Sequence, residues 1–208
     1  MGTAIAYLVI LALLIRRLAR SGKKVRGRKG EKKVSSRLRA LCRGGKFRAF
    51  NDILLRRKSG FTSQIDHVLV GETGVFVIET KNYKGRITGE TDEPEWHQTT
   101  RRSSNGFENP LLQNKGHIRA LTELLGEKYP DLKCHSLIVF PSRHLIDVED
   151  PRVISRQEIR QAIVSHTVKT LSREDVAEIS RMIRKANITS RRERRRHIRE
   201  TRKRMRQR

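Results

Sequence analysis

The feature that most constrains this chain is Gly71-Glu72-Thr73-Gly74, set between two β-prone runs at residues 64–70 and 75–81. Its glycines accept positive φ without a Cβ clash, so the four residues read as a hairpin turn. Pairing symmetric about that turn sets Val70 against Val75, Val68 against Val77, Asp66 against Glu79 and Gln64 against Lys81. Side chains alternate faces along a strand, so Glu79 and Lys81 emerge together with Asp66 and Gln64 beside them. Facing positions have Cβ atoms about 4.5–5.5 Å apart, and like charges so placed are destabilising. Two facing carboxylates among β-branched residues call for a cation.

Mg²⁺ or Mn²⁺ suits that pair, because a hard cation takes one or two carboxylates and keeps several waters for itself. Asp66 and Glu79 are the candidate metal ligands, with the Thr80 carbonyl as a third oxygen. Such an ion polarises a phosphoryl oxygen and lowers the pKa of a bound water. Lys81, on the same face, is placed to stabilise developing charge or orient the attacking water. Gln64 is placed to hold a water or the lysine.

Several blocks then line up in order: Gly30-Glu31, Gln64-Ile65-Asp66-His67, residues 74–83 with Glu79-Thr80-Lys81, Gly85, and Asn109-Pro110-Leu111-Leu112-Gln113-Asn114. Asp66 followed by Glu79-x-Lys81 on a hairpin resembles the D…(D/E)-x-K signature of restriction-endonuclease-like nucleases. The ordered set, over roughly residues 27–155, resembles the nuclease-related domain (NERD) family of that PD-(D/E)xK superfamily. The resemblance implies a mixed central sheet flanked by helices, with Asp66, Glu79 and Lys81 as the catalytic set. It makes Glu31 the added acidic residue on the first helix, brings Gln113 near the site, and implies a nucleic-acid substrate, DNA ahead of RNA, and a homodimer as one assembly. Ile65 stands where the superfamily often has proline, a position dispensable to the chemistry.

Each of these residues also has a structural reading. Glu31 lies where a helix start favours a carboxylate through the macrodipole. Asn109-Pro110 reads as an N-cap followed by N1, which makes Gln113 a first-turn residue. His67 alternates away from Asp66 and is expected to pack. Trp96 is expected in the core or over a sheet edge, with base stacking as the functional alternative.

Residues 1–15 carry no charged side chain, and 4–15 is an unbroken apolar run. Fifteen helical residues span about 22 Å, short of a hydrocarbon core of roughly 30 Å, and extension to residue 19 with Arg16 and Arg17 snorkelling brings the length close. A cleaved leader expects positive charge before its apolar run. Here Arg16, Arg17, Arg20, Lys23 and Lys24 follow it, which points to a single-pass anchor with its N-terminus outside and the rest cytoplasmic.

The net charge of +25 sits mainly on the flanks: residues 1–29 have eight Lys/Arg and no acid, and 187–208 have eleven Lys/Arg against Glu193 and Glu200. The stretch 30–186 is therefore only moderately basic. The tail, with Arg191, Arg192, Arg194, Arg195 and Arg196, repels itself and is expected to be disordered or a fraying helix when free. It suits phosphate neutralisation on nucleic acid, or equally acidic lipid. Cys42 and Cys134 are too few for a zinc cluster or a disulfide framework, and no Walker loop or Ser/His nucleophile motif appears.

The expected organisation is an anchor at 1–19, a basic juxtamembrane linker at 20–29, a nuclease-like α/β domain at 30–155, helices at 156–186 and the basic tail at 187–208. Within it, 31–42 reads as the first helix, 46–55 as strand, 86–89 as a further strand and 90–107 as a polar surface loop bordering the cleft. Residues 110–126 form a helix with Gly126 as C-cap, and 134–140 a buried strand. Capping boxes at Ser155 and Ser172 open helices to about 171 and 186. The function expected is that of a membrane-anchored, metal-dependent nuclease. Its rivals are a non-catalytic nucleic-acid tether and a lipid-binding interaction protein.

Overall fold

The computed structural model describes residues 26–141 and 146–204. Its first helix, α1, spans residues 26–42. The chain then builds a hairpin of β1 (Phe47–Arg56) and β2 (Thr62–Gly71), followed by β3 (Gly74–Thr80). The short strands β4 (Arg86–Thr88), β5 (Glu95–Thr99) and β6 (Ser104–Glu108) precede α2 (Pro110–Leu125) and β7 (Cys134–Phe140). Last come β8 (Ile146–Asp147), β9 (Val153–Ser155), α3 (Ile159–Val164), α4 (Arg173–Ala186) and α5 (Arg191–Arg204).

The main sheet runs β1-β2-β3-β7-β9, antiparallel on the β1–β2–β3 side and parallel from β3 through β9. The central hairpin has the expected register at Val70–Val75 and Val68–Val77, but the ladder ends at His67–Ile78, so the expected pairs Asp66–Glu79 and Gln64–Lys81 are not formed. Gly74 has φ of +120°, and a Cβ there would stand 2.6 Å from the Lys133 carbonyl, so this position tolerates only glycine.

Strands β2 and β3 are buried on both faces because helices cover both. Val68, Val70, Val75 and Val77 pack with Leu121 and Leu125 of α2 and Val176, Ile179 and Ile183 of α4. Leu69, Phe76 and Ile78 pack with Val34 and Leu38 of α1 and with Ile159 and Ile163 of α3. Each fully buried aliphatic side chain contributes about 1.5–3 kcal/mol, so this α/β/α sandwich is the main source of stability.

One break in the alternation positions the site. Val68 and Val70 reach the α2/α4 core, and so do Ile65, Ile53 and Leu55, which have the opposite parity. The reversal falls at Asp52, held at φ of +55°, and at Asp66, the two positions between paired Asn51–His67 and Ile53–Ile65. The strands change faces there, and the core continues beyond the break through Ile53, Leu55 and Ile65.

Residues 90–107 are not the loop their composition suggests. They carry the β5–β6 hairpin of a second sheet, ordered β6-β5-β4-β8. Exposed on most positions, the hairpin lacks an apolar alternation, and its one sequence signal is the cross-strand pair Trp96–Phe107. Trp96 is fully buried with Ile87, Leu111, Ile138 and Phe140, and its Nε1 donates to the Glu90 carbonyl at 2.8 Å. The helix expected from Ser155 to about 171 ends at Val164: the backbone N–H groups of Thr170 and Leu171 turn back to the Glu72 carbonyl instead. The capping box at Ser172 is formed with Asp175.

Of the two expectations for the basic tail, disorder is overturned and helix is found. Its residues 191–204 form a helix docked on β1 and β2, although none of them is buried. Arg194 donates to the Asp52 carboxylate and carbonyl at 2.8 and 2.7 Å, and Arg56 pairs with Glu193 at 2.6 Å. Polar anchors on folded neighbours, invisible as periodicity, hold what its own charge would fray. No helix among the described residues is long and apolar enough to cross a membrane, and the anchor expected at 1–19 lies outside them.

Candidate active site

The antiparallel ladder between β2 and β3 ends at His67–Ile78. Beyond it β3 stays attached to β7, with Glu79 opposite Ile138 and Thr80 opposite Val139, and the Lys81 N–H donates to the Val139 carbonyl at 3.0 Å. Asp66 fills the gap with its side chain: its Oδ2 accepts from the Thr80 N–H at 2.9 Å. The carboxylate is thus fixed against the strand that carries Glu79 and Lys81.

Glu79 is buried, and Lys81 Nζ lies 2.9 Å from its Oε1. The same ammonium donates to Gln113 Oε1 at 2.5 Å. Gln113 is delivered by the α2 start, where Asn109 Oδ1 accepts from the Leu111 N–H at 2.8 Å and Pro110 opens the helix. Both readings of this motif therefore hold, since the N-cap is what aims Gln113.

His117, one turn further along α2, is a site residue that sequence reasoning missed. Its Nδ1 lies 2.9 Å from Ser63 Oγ and its Nε2 lies 3.2 Å from Glu79 Oε2. The available signal was its i+4 spacing from Gln113, which puts both on one helix face. Glu31 comes in from α1, which sits close to the end of β3. The Asn82 side chain occupies the space a Cβ at Gly30 would need, and Asn82 Nδ2 donates to the Arg26 carbonyl at 2.7 Å.

Gln64 and Asp66 both line the cleft, but the Gln64 amide is taken by Asp52 Oδ1 at 2.7 Å rather than by Lys81. His67 packs as expected, buried, with Nδ1 2.7 Å from Asn51 Oδ1. Of the tail arginines, Arg191, Arg192, Arg195 and Arg196 are exposed, whereas Arg194 is committed to Asp52.

The electrostatics follow from four carboxylates in one neighbourhood. Burial raises the Asp66 carboxyl well above the usual range and the Glu79 charge raises it further, against the Thr80 N–H and Lys81. Burial, then Asp52 and Glu79, raise Glu31. Burial opposes the charge on Glu79 too, but Lys81 and His117 outweigh it and hold its carboxyl at about 2. The Glu79 charge likewise overcomes burial at Lys81 and raises its ammonium.

A divalent cation fits this donor set. Burial and the Glu79 charge leave Asp66 short of positive charge, and Glu79 Oε2, buried, has His117 Nε2 beside it at 3.2 Å. Among the described residues no group of three or more His, Cys, Asp or Glu side chains is placed to hold a metal. Two carboxylates with a backbone oxygen and water is the Mg²⁺ pattern rather than the zinc one.

A mixed α/β core whose hairpin opens into an Asp and a Glu-x-Lys at one end of the sheet is a nuclease-like fold. The chain belongs to the nuclease-related domain (NERD) family, whose model matches residues 26–141. It is also 31% identical over 206 residues, 95% of each chain, to an uncharacterized protein of Bacillus anthracis. No solved structure matches it.

Proposed function

We propose that this protein is a metal-dependent nuclease that hydrolyses nucleic-acid phosphodiester bonds. The observation that carries the reading is the convergence of Asp66, Glu79 and Lys81 where the β2–β3 ladder opens, with Gln113 and His117 fixing Lys81 and Glu79. Asp66, Glu79 and the Thr80 carbonyl would hold Mg²⁺ or Mn²⁺, which supplies Lewis acidity toward a phosphoryl oxygen and a more acidic water. Lys81 offers its ammonium to the charge that develops on the phosphate, held by Gln113 so that little reorganisation is needed. Glu31 adds a carboxylate within electrostatic reach of Glu79, and Gln64 shapes the cleft wall.

One observation favours a non-catalytic nucleic-acid-binding role: Lys81 is paired directly with Glu79, so the carboxylate is neutralised from within. The two readings separate by experiment. Labelled single- and double-stranded DNA and RNA are incubated with the full chain in Mg²⁺, Mn²⁺ or EDTA, beside Asp66→Asn. Metal-dependent cutting lost in the variant supports the enzyme; binding without cutting by either protein moves the assignment to the tether.

We further propose that the apolar segment at 1–19 anchors the chain to a membrane, with the nuclease-related domain on the cytoplasmic side. The support is the uncharged run followed by a basic flank. Partition of the full chain into the carbonate-resistant membrane fraction tests it; release by carbonate would refute it.

A further inference from the structure

The C-terminal helix lies beyond the residues that the family model matches, yet it forms part of the cleft. His197, Thr201 and Arg204 recur at i, i+4 and i+7, so they share one face of α5. That face lines the cleft together with Gln64, Asp66, Gln113 and His117.

The seating is built in. The Leu54 N–H donates to Asn187 Oδ1 at 3.0 Å, and the Ile188 N–H donates to the Leu54 carbonyl at 2.9 Å, tying the lead-in of α5 to β1. Arg194 then clamps Asp52 and the Ile188 carbonyl, and His197 Nδ1 meets Thr62 Oγ1 at 2.7 Å. Arg192, Arg195, Arg199, Arg202 and Lys203 remain exposed on the outward face.

With α5 in place the cleft measures about 360 Å³. That is at the low end of the ~300–1,000 Å³ that holds one drug-sized ligand, room for one nucleotide unit between α5 and the strands. The Arg204 guanidinium lies 4.9 Å over the Phe61 ring, which is 52% exposed. Arg204 is the arginine of a lining that also carries Asp66 and Glu108, and an exposed aromatic ring beside such a guanidinium is a pairing that suits a single strand, stacking a base and holding a phosphate.

We propose that the inner face of α5, through Arg204 with Thr201 and His197, binds the backbone of a single nucleic-acid strand. Single strands and frayed ends then reach Asp66 and Glu79, and intact duplex does not. This rests on the nuclease reading of the same cleft.

The test is fluorescence anisotropy of one labelled oligodeoxynucleotide, as a single strand and as a blunt duplex. It uses the full chain in EDTA at fixed salt. Wild type is compared with Arg204→Glu and with Arg202→Glu, the same charge reversal on the outward face. The expected result is single-strand preference in the wild type. Arg204→Glu weakens single-strand binding by about tenfold and duplex binding far less. Arg202→Glu lowers both forms alike.

Equal effects of the two variants, or no preference in the wild type, overturn the proposal. So does tighter binding by Arg204→Glu, the mark of a helix that blocks the cleft. Neither variant removes a buried side chain, so both fold. Binding in EDTA needs no catalysis, and cutting of the single strand by the wild type in Mg²⁺ reports on the nuclease reading separately.

Discussion

Lys81 and Glu79, two residues apart on one strand end, form an ion pair of 2.9 Å with side chains only 15% and 5% exposed. Removing one partner of such a pair strands a buried charge, at a cost of about 3–5 kcal/mol, whereas replacing both by neutral groups of similar size is often nearly neutral. Lys81→Ala is therefore expected to lose both stability and activity. The double variant Glu79→Gln/Lys81→Met is expected to regain most of the stability and none of the activity. Urea midpoints beside cleavage rates check this; a double variant as unstable as Lys81→Ala contradicts it.

His117 bridges Ser63 and Glu79 and should act by orienting that carboxylate. Changes to groups that orient a metal's ligands typically cost ~10–100-fold in metal affinity or activity. His117→Ala is expected to raise the Mg²⁺ concentration for half-maximal cleavage by about tenfold, with partial recovery in His117→Asn. An unchanged Mg²⁺ requirement would leave His117 with a packing role alone.

Burial lowers His67 from 6.5 to about 4. Below pH 6.5 the unfolded ring takes a proton that the folded one refuses, so the unfolded state binds more protons there. This part of the stability is present above pH 6.5 and is lost as pH falls to 4, amounting to about 3 kcal/mol at ~1.4 kcal/mol per tenfold. Denaturant midpoints of wild type and His67→Gln across pH 4–7 should show a shallower fall in the variant. Parallel curves would refute it.

Arg194 is the main fastener of a helix none of whose residues is fully buried. Arg194→Ala is expected to raise amide exchange throughout 191–204 while β2, β3 and α4 stay protected, with global stability lower by roughly 1 kcal/mol. Uniform loss of protection across the sheet would show that α5 belongs to the cooperative core.

The central hairpin, its register, α2 with its Asn109 cap and the Asp66–Glu79–Lys81 set were legible from residue order, because turn chemistry, alternation and capping act within a few residues. Four features were not: the β5–β6 hairpin, the early end of α3, the place of His117 and the docking of α5. The hairpin is largely solvent-exposed, so no alternation marks it. The other three are decided by contacts far apart in the chain, such as Thr170 to Glu72, Glu79 to His117 and Asp52 to Arg194. Local patterning therefore determined which strand ends carry the carboxylates and the lysine. Only tertiary packing decided that the strands reverse faces at Asp52 and Asp66 and that a cationic helix lines the cleft, because both rest on contacts between residues far apart in the chain.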